Sequence, residues 1–230
     1  MNLQGKRILV IGANGVLGSA IATRLIAHGA IVDGTARCDA SAARLPDGLH
    51  QRLLVDLESS ASISTLTAYL NGSGEPLDGI VNAAGLVAFG SVESTPQDVS
   101  DRLMHVNHLG PASVISELLA LLKGSAEAGR GPFIASIPGV VAERAFPNMA
   151  AYVASKSAHH AWLNALRMEV RRPLVRVIDA RPGHTETGLA GRAVSGVAPA
   201  FPTGMTADHV SDVIVDSILG DATELPSTAF

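Results

Sequence analysis

Short, continuously apolar runs alternate along this chain with longer stretches in which apolar positions recur every three or four residues. Residues 7–11 (RILVI) make the first run, of the kind that strands buried on both faces of a parallel sheet use. A helical pattern follows over residues 16–28, then a strand over 30–36. The alternation continues with a strand at 52–57 (RLLVDL), a helix at 59–70 and a strand at 79–82. A long helix is predicted over 96–123, with Thr95 as its cap, Pro96 at its first position and a bend at Gly110-Pro111. A strand at 131–136 (GPFIAS), a helix at 150–171, a strand at 174–180 and a last helix over 206–220 complete the pattern. Strands and helices in alternation predict an α/β fold: a doubly wound parallel sheet between two helical layers, in one domain spanning 1–230. Residues 189–205, rich in Gly, Ala, Pro and Val and without periodicity, suggest a lid over an apolar ligand, reaching back to about residue 184.

Composition narrows the function. With 230 residues, 47% hydrophobic and 17% charged, the chain has enough apolar mass for one sizeable core. A net charge of −4 and 3% aromatic residues leave neither a basic footprint nor a stacking surface for nucleic acid. The single cysteine, Cys38, excludes an intramolecular disulfide framework and fits a reducing, cytoplasmic setting. No run of eighteen apolar residues predicts a membrane span, and the apolar run after Lys6-Arg7 ends in a glycine-rich turn rather than a leader's cleavage site.

That turn carries the first chemistry. Gly12-Ala13-Asn14-Gly15-Val16-Leu17-Gly18 lies between a strand and a helix, where glycines allow a tight turn, close approach to a pyrophosphate and close helix packing. The spacing is G-x-x-G-x-x-G rather than the commoner G-x-G-x-x-G, and a plain turn is the alternative. The nucleotide reading makes the sheet Rossmann-type. At the end of the second strand Arg37 can bind a 2′-phosphate and favour NADP, whereas Asp39 can bind a ribose hydroxyl and favour NAD. Asp56 reads equally as an acceptor for adenine or as a helix cap, and Asn82 as a brace for the sheet or a turn residue. Tyr152 and Lys156, four apart on a helix, share a face, where an ammonium group favours the phenolate and brings a proton-transfer group towards working pH.

Taken together, the Gly12–Gly18 turn, Asn82-Ala83-Ala84-Gly85, Ser136, Tyr152-x-x-x-Lys156 and Pro182-Gly183 resemble, in order and approximate spacing, the short-chain dehydrogenase/reductase family. The single-domain branch with ketoacyl and carbonyl reductases is the most similar. The resemblance implies a catalytic tetrad of Asn107, Ser136, Tyr152 and Lys156. In it Tyr152 is general acid/base, Ser136 polarises the substrate carbonyl, Lys156 binds the nicotinamide ribose and lowers the tyrosine pKa, and Asn107 anchors a water. It implies a cofactor site of Gly12, Asn14, Gly15, Val16, Leu17, Gly18, Arg37, Asp56, Leu57, Asn82, Ala83, Ala84, Gly85, Tyr152, Lys156, Pro182, Gly183, Thr185 and Thr187. NADPH is the preferred cofactor, with NAD possible. The partners implied are a fairly apolar carbonyl or alcohol, and a second or further copies of the chain as a homodimer or homotetramer. The chain departs from the family in three places. Its glycine spacing is nearer the epimerase and dehydratase branch, no basic residue stands at Gly15, and residues 221–230 lack the glycine-rich final strand of ketoacyl reductases. A cofactor-regenerating epimerase or dehydratase and a non-catalytic NADP sensor are the competing functions. His105, His108, His159 and His160 read as surface or packing residues, because no matching ligand set implies a metal. His184 reads as structural, and Val87, Phe89, Ile137, Phe146 and Met149 as pocket walls.

Overall fold

The computed structural model describes residues 1–172 and 174–230. Its centre is β1 (Arg7–Ile11), in which every residue is buried. Alternate side chains of this strand enter different cores. Ile8 and Val10 join Ile21, Leu25, Val210 and Ile214 on one face of the sheet, and Leu9 and Ile11 join Leu66, Leu118 and Leu163 on the other. This two-sided burial is why the run is continuously apolar instead of alternating. Each such side chain contributes about 1.5–3 kcal/mol on burial.

Around β1 the chain builds α1 (Val16–Ala27), β2 (Ile31–Ala36), the short α2 (Asp39–Ala42), β3 (Gln51–Leu54), α3 (Ser60–Gly72) and β4 (Gly79–Asn82). Then come α4 (Gln97–Met104), a π-helical turn (His105–Leu109), α5 (Gly110–Glu127), β5 (Phe133–Ser136) and α6 (Ala150–Glu169). β6 (Arg176–Ala180), α7 (Ala207–Leu219) and β7 (Glu224–Leu225) close the fold. Among the described residues the seven strands are all parallel, in the order β3-β2-β1-β4-β5-β6-β7. The order reverses between β1 and β4, which opens a crevice outside the carboxyl ends of the strands, where ligands of such sheets bind.

Four expectations are revised. β3 stops at Leu54, so Asp56 lies in the following loop, and Ser59, accepting from the Ser62 amide, caps α3 in its place. The long helix keeps helical dihedrals through Gly110, with a π turn just before it. It absorbs Pro111, which has no amide to give, through the π turn, in which the Gly110 amide reaches the His105 carbonyl five residues back. A four-residue helix, α2, appears where none was expected, closed by reciprocal bonds between Cys38 and Ser41. Finally, residues 221–230 do supply a last strand: β7 is two residues long and has no glycines. The bonds Asp179 N to Thr223 O and Arg181 N to Leu225 O hold it, with Glu224 paired to Arg167 and Arg181. Among the described residues no helix is long and apolar enough to cross a membrane.

Candidate active site

β1 runs into Gly12, whose φ of 78° lies in the left-handed region. A Cβ on Gly12 would stand 2.9 Å from the backbone of Ala84, and one on Gly18 would stand 2.3 Å from the Gly12 carbonyl oxygen. Both positions therefore require glycine. Gly15 caps α1 in extended conformation and no side chain accepts from the first turn. The amides at this helix start, together with the helix dipole, fit an anionic diphosphate at the crevice edge. The Thr35 hydroxyl braces the turn, accepting from the Gly12 amide at 3.1 Å.

A cavity of about 1460 Å³ runs from this turn along the carboxyl ends of the strands. Ordinary small-ligand pockets hold about 300–1,000 Å³, so there is room for a dinucleotide and a substrate. Every expected cofactor residue lines it except Asn82. At the β2 end Arg37 is joined by two residues that the sequence did not reveal, Ser41 and Arg44, brought back to the cavity by α2. Neither arginine has a carboxylate partner among the described residues. The acids nearby are placed elsewhere: Asp33 is fully buried against Arg7 at 2.8 Å and His50 at 3.0 Å, and Asp39 begins α2 without lining the cavity. Asp56 lines it, with Oδ1 accepting from the Glu58 amide at 3.0 Å.

Tyr152 and Lys156 sit in the first turns of α6, and both line the cavity. The Lys156 ammonium donates to the Ile137 carbonyl at 3.0 Å, and among the described residues no hydrogen bond joins it to Tyr152. The expected lowering of the phenol is not what this environment does. Burial pushes Tyr152 up to about 12 and pulls Lys156 down to about 8, because desolvation disfavours the charged form of each. At neutral pH the phenol is thus protonated and the amine still a cation.

Asn107, in the π turn, is buried with its carboxamide fully engaged. Oδ1 accepts from the Leu86 amide at 2.8 Å, while Nδ2 donates to the Leu86 carbonyl at 3.0 Å and to Ser155 Oγ at 2.9 Å. Ser155 in turn donates to the Tyr152 carbonyl. The side chain clamps the β4 loop to α6. Ser136 departs furthest from expectation. It is fully buried, does not line the cavity, and its Oγ lies 3.2 Å from His159 Nε2. Ile137, Pro138 and Gly139, which follow it, do line the cavity, and along residues 137–156 Tyr152 carries the one hydroxyl that does.

Beyond Tyr152 the walls are Val87, Phe89, Phe146 and Met149, with Leu189, Val194 and Phe201 from the 184–205 segment. That segment is tied down. Thr185 bridges Met205, Val194 N donates to Val87 O and Phe89 N to Ser195 O, and a Cβ on Gly196 would stand 1.8 Å from the Phe89 carbonyl oxygen. His184 lines the cavity and stacks on Phe201 with ring centroids 4.7 Å apart, so it belongs to the wall and not only to the scaffold.

Comparison with known proteins agrees with this geometry. Residues 6–197 match the family model for short chain dehydrogenases. A dehydrogenase/reductase SDR family protein 7-like of Anopheles gambiae is 30% identical over 211 residues, 87% of this chain, and the chain spans 65% of that protein's length. A short-chain dehydrogenase of Burkholderia cenocepacia solved in complex with NADP superposes with a TM-score of 0.83 at 22% identity, covering 98% of this chain and 89% of that one. One from Sphingobium yanoikuyae in complex with NADPH gives 0.79 at 25% identity, over 96% and 86%. A sheet switching order beside a glycine cradle, with Tyr152 and Lys156 facing the same cavity and a family match across most of the chain, leads to one assignment: this chain belongs to the short-chain dehydrogenase/reductase family.

Proposed function

We propose that the chain is an NADPH-dependent oxidoreductase interconverting a ketone or aldehyde and the corresponding alcohol, with Tyr152 as general acid/base. The observation that carries this reading is the placement of the Tyr152 hydroxyl and the Lys156 ammonium on the wall of the cavity that the Gly12–Gly18 cradle opens. A bound nicotinamide would supply the hydride. Tyr152, protonated at neutral pH, donates its proton to the carbonyl oxygen, which suits the reductive direction. Lys156, a cation below about pH 8 and held by the Ile137 carbonyl, offsets the negative charge left on the phenol. Asn107 and Ser155 fix the start of α6 and so the direction of the phenol. With Ser136 outside the cavity, the tyrosine hydroxyl both polarises the carbonyl and protonates it.

Preference for NADPH rests on Arg37 and Arg44, which flank the end of β2 and can take a 2′-phosphate by charge-assisted hydrogen bonds. The apolar walls suit a largely apolar substrate, and the tethered 184–205 segment serves as its lid. Titration with NADPH and NADH, followed by a panel of apolar ketones monitored by loss of reduced-cofactor absorbance, tests the whole reading. Saturable NADPH binding with turnover of at least one ketone is expected. Tight binding without oxidation across the panel would instead mean a sensor.

A further inference from the structure

Behind the cavity wall lies a buried polar chain that the proposed reaction does not use. Asn82, at the end of β4, turns its carboxamide between the Ala84 amide, 3.3 Å from Oδ1, and His159 Nε2, 3.4 Å from Nδ2. Ser136 Oγ is 3.2 Å from the same imidazole nitrogen, and His159 Nδ1 is 3.5 Å from Nδ1 of His108 in the π turn. Trp162 stacks on the His159 ring, with centroids 5.7 Å apart and planes at 19°, and meets His108 edge-on.

With the Asn82–His159 contact taken as a hydrogen bond, donor and acceptor rules set the rest of this chain. A backbone N–H can only donate, so the Asn82 atom facing Ala84 is the oxygen, and the amide nitrogen must face His159. Nε2 of His159 then accepts, from Asn82 and from the Ser136 hydroxyl, and the imidazole proton sits on Nδ1. That proton points at His108 Nδ1, so His108 carries its own proton on Nε2. No carboxylate among the described residues bonds either ring. The charged group nearby is Lys156, one turn earlier on α6, and His105 on the same π turn is occupied by the Asp101 carbonyl. Burial and Lys156 hold His159 down to about 3, and burial also lowers His108, so both rings are neutral at pH 7.

We infer that His159, oriented by His108, is a positioning residue for cofactor binding: it fixes the Asn82 carboxamide, which holds the Ala83–Gly85 turn against the Gly12 turn. The contact is tight, since Ala84 backbone is what a Cβ on Gly12 would strike at 2.9 Å, and Ala83, Ala84 and Gly85 all face the cavity. Losing the His159 acceptor frees the carboxamide to turn, and with it the segment against which the cofactor lies. This inference rests on the cavity being the nicotinamide nucleotide site.

The test joins a spectroscopic signature to a rescue. In ¹⁵N-edited NMR of the unmodified protein at pH 7, His159 should appear protonated on Nδ1 and His108 on Nε2. His159→Leu should weaken NADPH binding about tenfold, as expected for the loss of about 1.4 kcal/mol from a buried hydrogen bond. His159→Gln, whose amide oxygen can accept from Asn82, should return affinity to within about threefold of the unmodified protein. The opposite His159 tautomer would overturn the inference, whether or not the variants fold. Unchanged NADPH affinity in a folded His159→Leu protein would also overturn it. An unmodified protein that binds neither NADPH nor NADH would overturn the reading of the cavity itself, which the tautomers report on independently.

Discussion

The two ends of the cavity are built in different ways. At the nucleotide end the work is done by backbone: glycines where a Cβ would collide, an uncapped helix start, and small residues in the β4 turn. At the substrate end it is done by side chains, namely Tyr152, Lys156, His184, Phe89 and Phe201, presented by α6 and by a segment that crosses back over the opening. A backbone-built site tolerates little, because a misplaced atom meets main chain that cannot swing aside. A side-chain-built site can change its walls while the chemistry stays on one hydroxyl. The comparison teaches that the part of the cavity that demands glycine and small residues is separate from the part whose side chains are free to vary.

That contrast can be broken experimentally. The largest effect is expected from Tyr152→Phe, which should lower kcat for ketone reduction about 10³-fold while leaving the NADPH dissociation constant within about twofold, measured by steady-state kinetics and fluorescence titration. Retained turnover would remove Tyr152 from the mechanism. Next comes Gly18→Ala, whose new Cβ would lie 2.3 Å from the Gly12 carbonyl oxygen. Affinity for both reduced cofactors should fall on the order of a hundredfold, about 2.7 kcal/mol, because the cradle must open. Arg37→Ala and Arg44→Ala should each cost about tenfold in NADPH affinity and leave NADH nearly unchanged; equal losses for the two cofactors would deny them the 2′-phosphate.

Acid stability sharpens the picture from the buried side. His159 takes up a proton near 6.5 when unfolded but only near 3 when folded. The unfolded state therefore binds more protons between these values. This contribution to stability is fully present above about pH 6.5 and declines at up to about 1.4 kcal/mol per unit as pH falls towards 3. Urea melts at pH 7, 6 and 5, compared with those of His159→Gln, isolate it: the variant should show a shallower decline. Smallest of all should be Ser136→Ala, with kcat reduced less than about fivefold and ketone KM unchanged, since its hydroxyl points at His159 and not into the cavity. A loss comparable to that of Tyr152→Phe would reinstate it in the chemistry.

What the sequence made legible follows the same division. Gly12 and Gly18 announce themselves because only one residue type satisfies their geometry, and the strand runs because burial on both faces leaves no polar positions. Tyr152 and Lys156 were readable as a pair sharing one helix face, but that spacing is common on ordinary helices, and it took the glycine turn and the other motifs to give the pair a meaning. Ser136 misled because strand ends point to the ligand side: the wall does begin at the next residue, Ile137, but the serine side chain turns inward to a histidine that looked like packing. Arg44 was hidden because α2 is four residues long and carries no helical periodicity. β7 was hidden because two residues make no pattern. The opposite shifts of Tyr152 and Lys156 depend on how much water is excluded around them, which spacing along a chain does not encode.

The π turn at His105–Leu109 has one more consequence, best put in terms of phase. Five residues wound at π pitch lag those of an α-helix by roughly a quarter turn, so α5 is out of step with α4. α4 turns Val99 and Leu103 towards the small cluster beside Tyr152, while α5 turns Val114, Ile115, Leu118 and Leu122 into the core beneath the sheet. One continuous helical stretch thereby serves two interiors. Deleting a single residue from the turn would bring both segments into register, and one interior would lose its helix.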